Sequence, residues 1–176
     1  FGNTEVDQLY RKAGLLGDTT LAEFTKALGQ LPLQYDPGAQ WHYSVSVDVQ
    51  GRLVEVLSGM SFGEFLKQRI FEPLDMPDTD FQVNDSIKDR LAQLYKPEGV
   101  QANNFFSPAT GNGLEVADAF VSARYIYGGK FESGGGGLVS TARDYLRFCQ
   151  MLLNGGELDG VRILSPKTIE LMTTNH

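Results

Sequence analysis

The sequence predicts a mainly α-helical chain with short β-hairpins. Three observations carry that expectation: capping chemistry recurs along the chain, each cap is followed by apolar residues at the helical period, and alternating strand-like stretches are few. A capping hydroxyl accepts a free backbone N–H at a helix start, and an acid three residues later complements the positive end of the helix dipole.

Taken in order, Thr4-x-x-Asp7 opens a segment carrying Val6, Leu9, Tyr10 and Ala13. Thr20-x-x-Glu23 opens one with Leu21, Phe24 and Leu28, stopped by Gly29 before Pro32. Residues 45 to 57 read as a third helix, with Asp48, Arg52 and Glu55 on one face, Val45, Val49, Leu53, Val56 and Leu57 around the rest, and Asp48 and Arg52 as an i,i+4 pair. Gly59 suits the end of that helix, and Ser61-x-x-Glu64 starts another containing Phe65, Leu66 and Ile70. Near the C-terminus, Thr141-x-x-Asp144 precedes Tyr145, Phe148, Cys149, Leu152 and Leu153, a run closed by Gly155-Gly156, and Ser165-Pro166 sets a cap before a first-turn proline.

Strand signals are Val121, Ala123, Tyr125 and Tyr127, alternating up to Gly128-Gly129, and Leu158-Asp159-Gly160-Val161, which has the form of a tight hairpin. Residues 97 to 118 are rich in Pro, Asn, Gly and Ser without periodicity and are expected to form an irregular loop bordering a functional site. The run Gly134-Gly135-Gly136-Gly137 allows a close backbone approach to a neighbour or ligand, though a plain flexible turn is the preferred reading.

Composition narrows the function classes. The 176 residues, 41% hydrophobic, are enough for one domain with a core, and 1–176 is read as a single helical domain. Fifteen basic against 22 acidic residues give a net charge of -7, so nothing here would neutralise a nucleic acid backbone or an anionic membrane. No stretch has the ~20 apolar residues of a membrane-spanning helix. The chain therefore reads as soluble, with cytoplasm and periplasm both open. The lone Cys149 is expected to be a small buried hydrophobe, and His42 and His176 lack ligand-like partners, so no metal and no cofactor is expected. Both ends read as cut from a longer polypeptide.

Two hydroxyl-bearing residues compete for a chemical role. Gly59-Met60-Ser61-Phe62-Gly63 matches the pattern of a nucleophile elbow, but that device needs a strand before the serine, and a helix precedes Ser61. Ser61 is therefore read as a helix cap. The other candidate is Tyr43. The stretch Leu33-Gln34-Tyr35-Asp36-Pro37-Gly38-Ala39-Gln40-Trp41-His42-Tyr43-Ser44-Val45, then Gly63-Glu64-Phe65-Leu66, Ile70 through Thr79, Gly136 through Tyr145 and Gly156 through Ser165 together resemble the serine hydrolases related to class C β-lactamases, which include penicillin-binding proteins and family VIII esterases. The resemblance runs along nearly the whole chain, in order.

That resemblance implies the helical domain of a β-lactamase/transpeptidase-like fold, lacking most of the α/β sheet domain. It also implies that Tyr43, the first residue of a Y-x-N-like pattern, is the catalytic tyrosine, sharing proton transfer with the lysine of an S-x-x-K motif. The third position is Val45, a substrate-binding position where the lactamases carry an amide. A valine side chain cannot hydrogen-bond a β-lactam amide, so an ester or short acyl substrate becomes the expectation. None of the ten serines has a lysine three residues on, Lys167-Thr168 is followed by Ile169, and neither histidine begins H-x-G. The expected function is thus part of a serine hydrolase of carboxylesterase type acting on small-molecule esters or amides. This piece would be inactive alone and prone to self-association through an exposed apolar face. The rivals are a non-catalytic binding or scaffold module and a β-lactamase or D,D-peptidase parent.

Overall fold

In the computed structural model, residues 4–15, 17–100, 110–117, 125, 126 and 128–175 are described. They fall into two compact units, one formed by 1–80 with 130–176 and the other by 81–129.

The first unit opens with α1 (Glu5–Ala13) and α2 (Leu21–Leu28), each started by a complete capping box, at Thr4 with Asp7 and at Thr20 with Glu23. In α2 the backbone N–H of Thr20 is the main reason the Glu23 carboxyl is held below its usual range, assisted by the Thr20 and Thr19 hydroxyls. Helix α3 (Ser46–Ser58) ends at Gly59, whose φ of 73° is the left-handed conformation glycine adopts without strain. Ser61 then caps α4 (Phe62–Leu66), accepting the Glu64 N–H at 3.1 Å, and a π-helical turn over Lys67–Phe71 continues it. The adjacent amide, Gly63 N, is taken by Glu132 at 2.7 Å.

Two apolar clusters hold this unit. Leu15, Leu21, Phe24 and Phe131 form one, with the Phe24 and Phe131 rings 5.1 Å apart. The other is Phe71, Leu74, Met76 and Met151, which joins the π turn to α5 (Ala142–Leu153) and to the hairpin that follows. Gly51 lets α3 approach α2 and α4, since a Cβ there would stand 3.2 Å from both Leu21 and Phe62. The fully buried Asp144 fastens α5 to the distant turn at 78–79 by accepting from Asp78 N at 2.8 Å and Thr79 Oγ1 at 3.0 Å. Strands β3 (Glu157–Leu158) and β4 (Val161–Arg162) pair antiparallel around Asp159 and Gly160, both at positive φ, as the two-residue turn requires. Helix α6 (Pro166–Thr173), capped by Ser165, closes the unit.

In the second unit, β1 (Tyr95–Pro97) pairs antiparallel with β2 (Leu114–Val116) in the register Tyr95 to Val116, and a short 3-10 turn spans Lys88–Arg90. Among the described residues, Val83, Val100 and Ala117 are its buried apolar ones.

Among the described residues, the mainly helical architecture with two short antiparallel strand pairs agrees with the sequence expectation. Several local expectations do not hold. Asp48 does not pair with Arg52, which bonds Glu55 at 2.9 Å instead; Asp48 is buried, and the buried residues of α3 are Asp48 and Gly51. The apolar residues Val49, Leu53, Val56 and Leu57 are the exposed ones, because the helix packs through its small and hydrogen-bonded side. Residues 114 to 116, expected to be irregular, form β2, drawn into order by main-chain pairing with 95 to 97. Of the alternating stretch from Val121 to Tyr127, only Tyr125 and Ile126 are described, and they are helical. Cys149 is half-buried rather than sealed in the core. The glycine run is a close approach: a Cβ on Gly134 would lie 2.5 Å from the Val47 carbonyl oxygen.

Candidate functional site

The segment joining α2 to α3 is extended and turns once. Asp36-Pro37-Gly38-Ala39 closes through Ala39 N to Asp36 O at 3.1 Å, with Gly38 at φ 80°, the geometry of a type II turn. Pro37 presets the first corner and glycine the second. The chain then returns as Trp41-His42-Tyr43-Ser44-Val45, and Val45 becomes the residue at which α3 begins.

This fold of the segment against α1 makes an open groove of about 330 Å³, with Asp7, Tyr10, Tyr35, Asp36, His42 and Tyr43 among its walls. Tyr43 is 68% exposed and its ring lies 6.4 Å from that of Trp41, while Tyr35 meets His42 edge-on at 5.5 Å. Tyr43 thus lies on an accessible surface of mixed aromatic, aliphatic and polar residues rather than in the core. No lysine or arginine is among the residues lining the groove. Val45 has two surroundings: it lines the groove, and it packs against the cluster of Leu15, Leu21, Phe24 and Phe131. Tyr43 and Val45 therefore share one wall.

Ser61 stands apart, at the start of α4 and outside the groove. Among the described residues, no group of three His, Cys, Asp or Glu is placed to hold a metal.

Beside the groove segment lies a feature that the pattern of residues did not single out. The Asp48 carboxylate accepts from Ser133 Oγ at 2.5 Å and from Gly135 N at 3.3 Å, pinning the glycine run onto the first turn of α3. No short window of sequence contains both Asp48 and residues 133 to 135, and the i,i+4 spacing to Arg52 pointed to a different partner. Next to Ser133, the Glu132 carboxyl titrates above its usual range, chiefly because it is half-buried. The nearby carboxylates Glu55, Asp80 and Glu64 add to this, and the Gly63 N–H opposes it.

Comparison with known proteins agrees with this architecture. Residues 2–176 match the family model described as Beta-lactamase. Among curated proteins, the chain is 35% identical over 149 residues to Protein Rv1367c of Mycobacterium tuberculosis, covering 85% of this chain and 34% of that one. It is 31% identical to Esterase EstB of Burkholderia gladioli, covering 75% of this chain and 34% of the relative. Among solved structures, EstCE1, a hydrolase with promiscuous acyltransferase activity, superposes with a TM-score of 0.73 at 25% identity, over 93% of this chain and 44% of that one. A penicillin-binding protein from Bacillus halodurans shares the fold, at a TM-score of 0.64, 17% identity, and coverage of 92% and 43%. The chain spans about a third of the length of the curated relatives it matches. On these matches, the chain belongs to the beta-lactamase family.

Proposed function

We propose that residues 1–176 supply the catalytic tyrosine, Tyr43, and one wall of the substrate cleft to a serine hydrolase of esterase type. The observation that carries this reading is the position of Tyr43: a phenol exposed on an open groove, two residues before a helix start. The family's chemistry needs a serine hydroxyl that attacks the ester carbonyl carbon and expels the alkoxide to leave an acyl-enzyme, and a tyrosine and lysine that move the proton. Tyr43 takes the proton from the attacking hydroxyl and returns it to the leaving alkoxide. Its phenol must work far below an unperturbed pKa of about 10, so a cation from outside this groove has to stand beside it.

Val45 gives the neighbouring wall an apolar side chain with no hydrogen-bonding group, which favours an ester or short acyl group over a ligand that needs an amide partner. EstB carries the name esterase, in agreement with that preference. The isolated chain has no S-x-x-K and forms no acyl-enzyme.

The test is p-nitrophenyl ester hydrolysis by the intact polypeptide that contains residues 1–176. Tyr43→Phe is expected to lower kcat roughly hundred-fold or more, the scale of a lost general base, with the unfolding midpoint unchanged because the hydroxyl is exposed. A variant that keeps near-full rate removes Tyr43 from the chemistry and leaves the binding or scaffold reading in its place.

A further inference from the structure

Tyr43 is held by little packing. The residue is 68% exposed and its ring meets that of Trp41 at 6.4 Å, so its placement has to come from the backbone. That backbone enters α3 at Val45, whose carbonyl accepts from Asp48 N at 3.1 Å and from Val49 N at 3.3 Å. Yet Val45 offers no side-chain cap to the helix. Asp48 occupies the third position of α3, from which a carboxylate ordinarily reaches back to the residue that starts its own helix. Here it reaches outward. It is 4% exposed, and it accepts from Ser133 Oγ and Gly135 N across 85 and 87 residues of chain. Gly135 N is shared with Ser133 Oγ at 3.2 Å, and Gly137 N closes onto Ser133 O at 3.0 Å, so the glycine run forms a compact turn around these acceptors. Gly134 completes the contact by lying directly on the Val47 carbonyl.

From this arrangement, we infer that Asp48, with Ser133 and Gly134, is a positioning device for Tyr43: the clamp fixes the first turn of α3 against the 133–137 turn and thereby sets where the phenol stands on the groove wall. The inference rests on the reading of Tyr43 as the catalytic tyrosine. A charge-assisted hydrogen bond shielded from water is among the stronger and more directional that a side chain makes. Misplacing a catalytic group by about 1 Å is enough to slow chemistry up to ~100-fold. Asp48, Ser133 and Gly134 are not among the residues lining the groove, so loss of the clamp should appear in kcat rather than KM.

The experiment uses the intact polypeptide and a p-nitrophenyl ester, with Asp48→Ala, Asp48→Asn, Ser133→Ala, Gly134→Ala and, as a control of equal burial away from the groove, Asp144→Ala. Asp48→Ala is expected to lower kcat per folded molecule roughly ten-fold with KM within two-fold of wild type, and amides 44 to 50 should exchange hydrogen faster. Asp48→Asn keeps an acceptor oxygen for Ser133 and should recover most of the rate. Asp144→Ala should lose stability with kcat per folded molecule unchanged. If Asp48→Ala does not fold, Ser133→Ala and Gly134→Ala carry the same expectation. The inference is overturned if the folded clamp variants keep wild-type kcat and wild-type exchange at 44 to 50, or if Asp48→Ala and Asp144→Ala lose rate alike. Tyr43→Phe, run in parallel, separates the two levels: loss of rate there with none in the clamp series overturns the clamp alone, while retained rate overturns the reading beneath it.

Discussion

At the scale of single residues, Glu132 makes a directional prediction. Its carboxyl is half-buried, so the charged form is disfavoured in the fold and its pKa lies above the ordinary value. The folded chain therefore binds this proton more readily than the unfolded chain. The cost of the charge is fully present above the raised pKa and fades as the pH falls through it toward the ordinary carboxylate range. Glu132→Gln keeps an oxygen for the Gly63 N–H, bonded at 2.7 Å, and removes the charge. Urea unfolding should show the variant with a higher midpoint at pH 7, and the gap should narrow by pH 4. A lower midpoint at pH 7 would mean that the charge on Glu132 strengthens the Gly63 bond by more than its burial costs. Thr20 allows a plainer test. It accepts the Glu23 N–H at 3.2 Å and starts α2, whose Leu21 and Phe24 lie in the core, so Thr20→Ala should cost about 1 kcal/mol in the same measurement.

Elements differ in how well the sequence announced them, and the physical reason is local versus distant control. Helices α1, α2, α5 and α6 are started by Thr4, Thr20, Thr141 and Ser165, whose cap bonds lie within three residues, so the pattern alone locates them. The β3–β4 hairpin is as legible, because Asp159-Gly160 supplies both positive φ angles of the turn. Replacing Gly160 with valine should cost roughly 1–2 kcal/mol, the order of placing a β-branched residue at left-handed φ. Its readout is the unfolding midpoint, with faster exchange confined to the hairpin amides. By contrast, β2 depends on residues 17 to 21 positions away, and Tyr125 and Ile126 take a helical form where the sequence alternates. Helix α3 was legible as a helix but not in its facing, since Asp48 is buried by partners at 133 and 135 that no short window contains. The site divides the same way. Tyr43 and Val45 followed from the family resemblance of a contiguous stretch, and the clamp beside them needed the tertiary contact to be seen.

For the molecule as a whole, the facing of α3 has a consequence for assembly. Val49, Leu53, Val56 and Leu57 recur at spacings of four, three and one along one side of the helix, with Leu53 54% and Leu57 78% exposed. Such a stripe covers most of the length of a 13-residue helix, and apolar residues gathered this way lower their free energy by leaving water. We propose that the isolated 176-residue chain self-associates through this stripe. Its net charge of -7 opposes the association by repulsion between copies, so added salt should strengthen it by screening. Sedimentation velocity should show the mean mass rising with concentration, and more steeply at high ionic strength. Replacing Leu53 and Leu57 with glutamate changes no packed residue, because both side chains lie on the exposed face, and should leave the chain monomeric with its helical content intact. A wild-type chain that stays monomeric at high concentration in high salt would exclude the stripe as an interface. Association undiminished in the double variant would move the contact to the other exposed apolar residues of this unit, of which Tyr145, Leu146 and Leu153 on α5 form the next group.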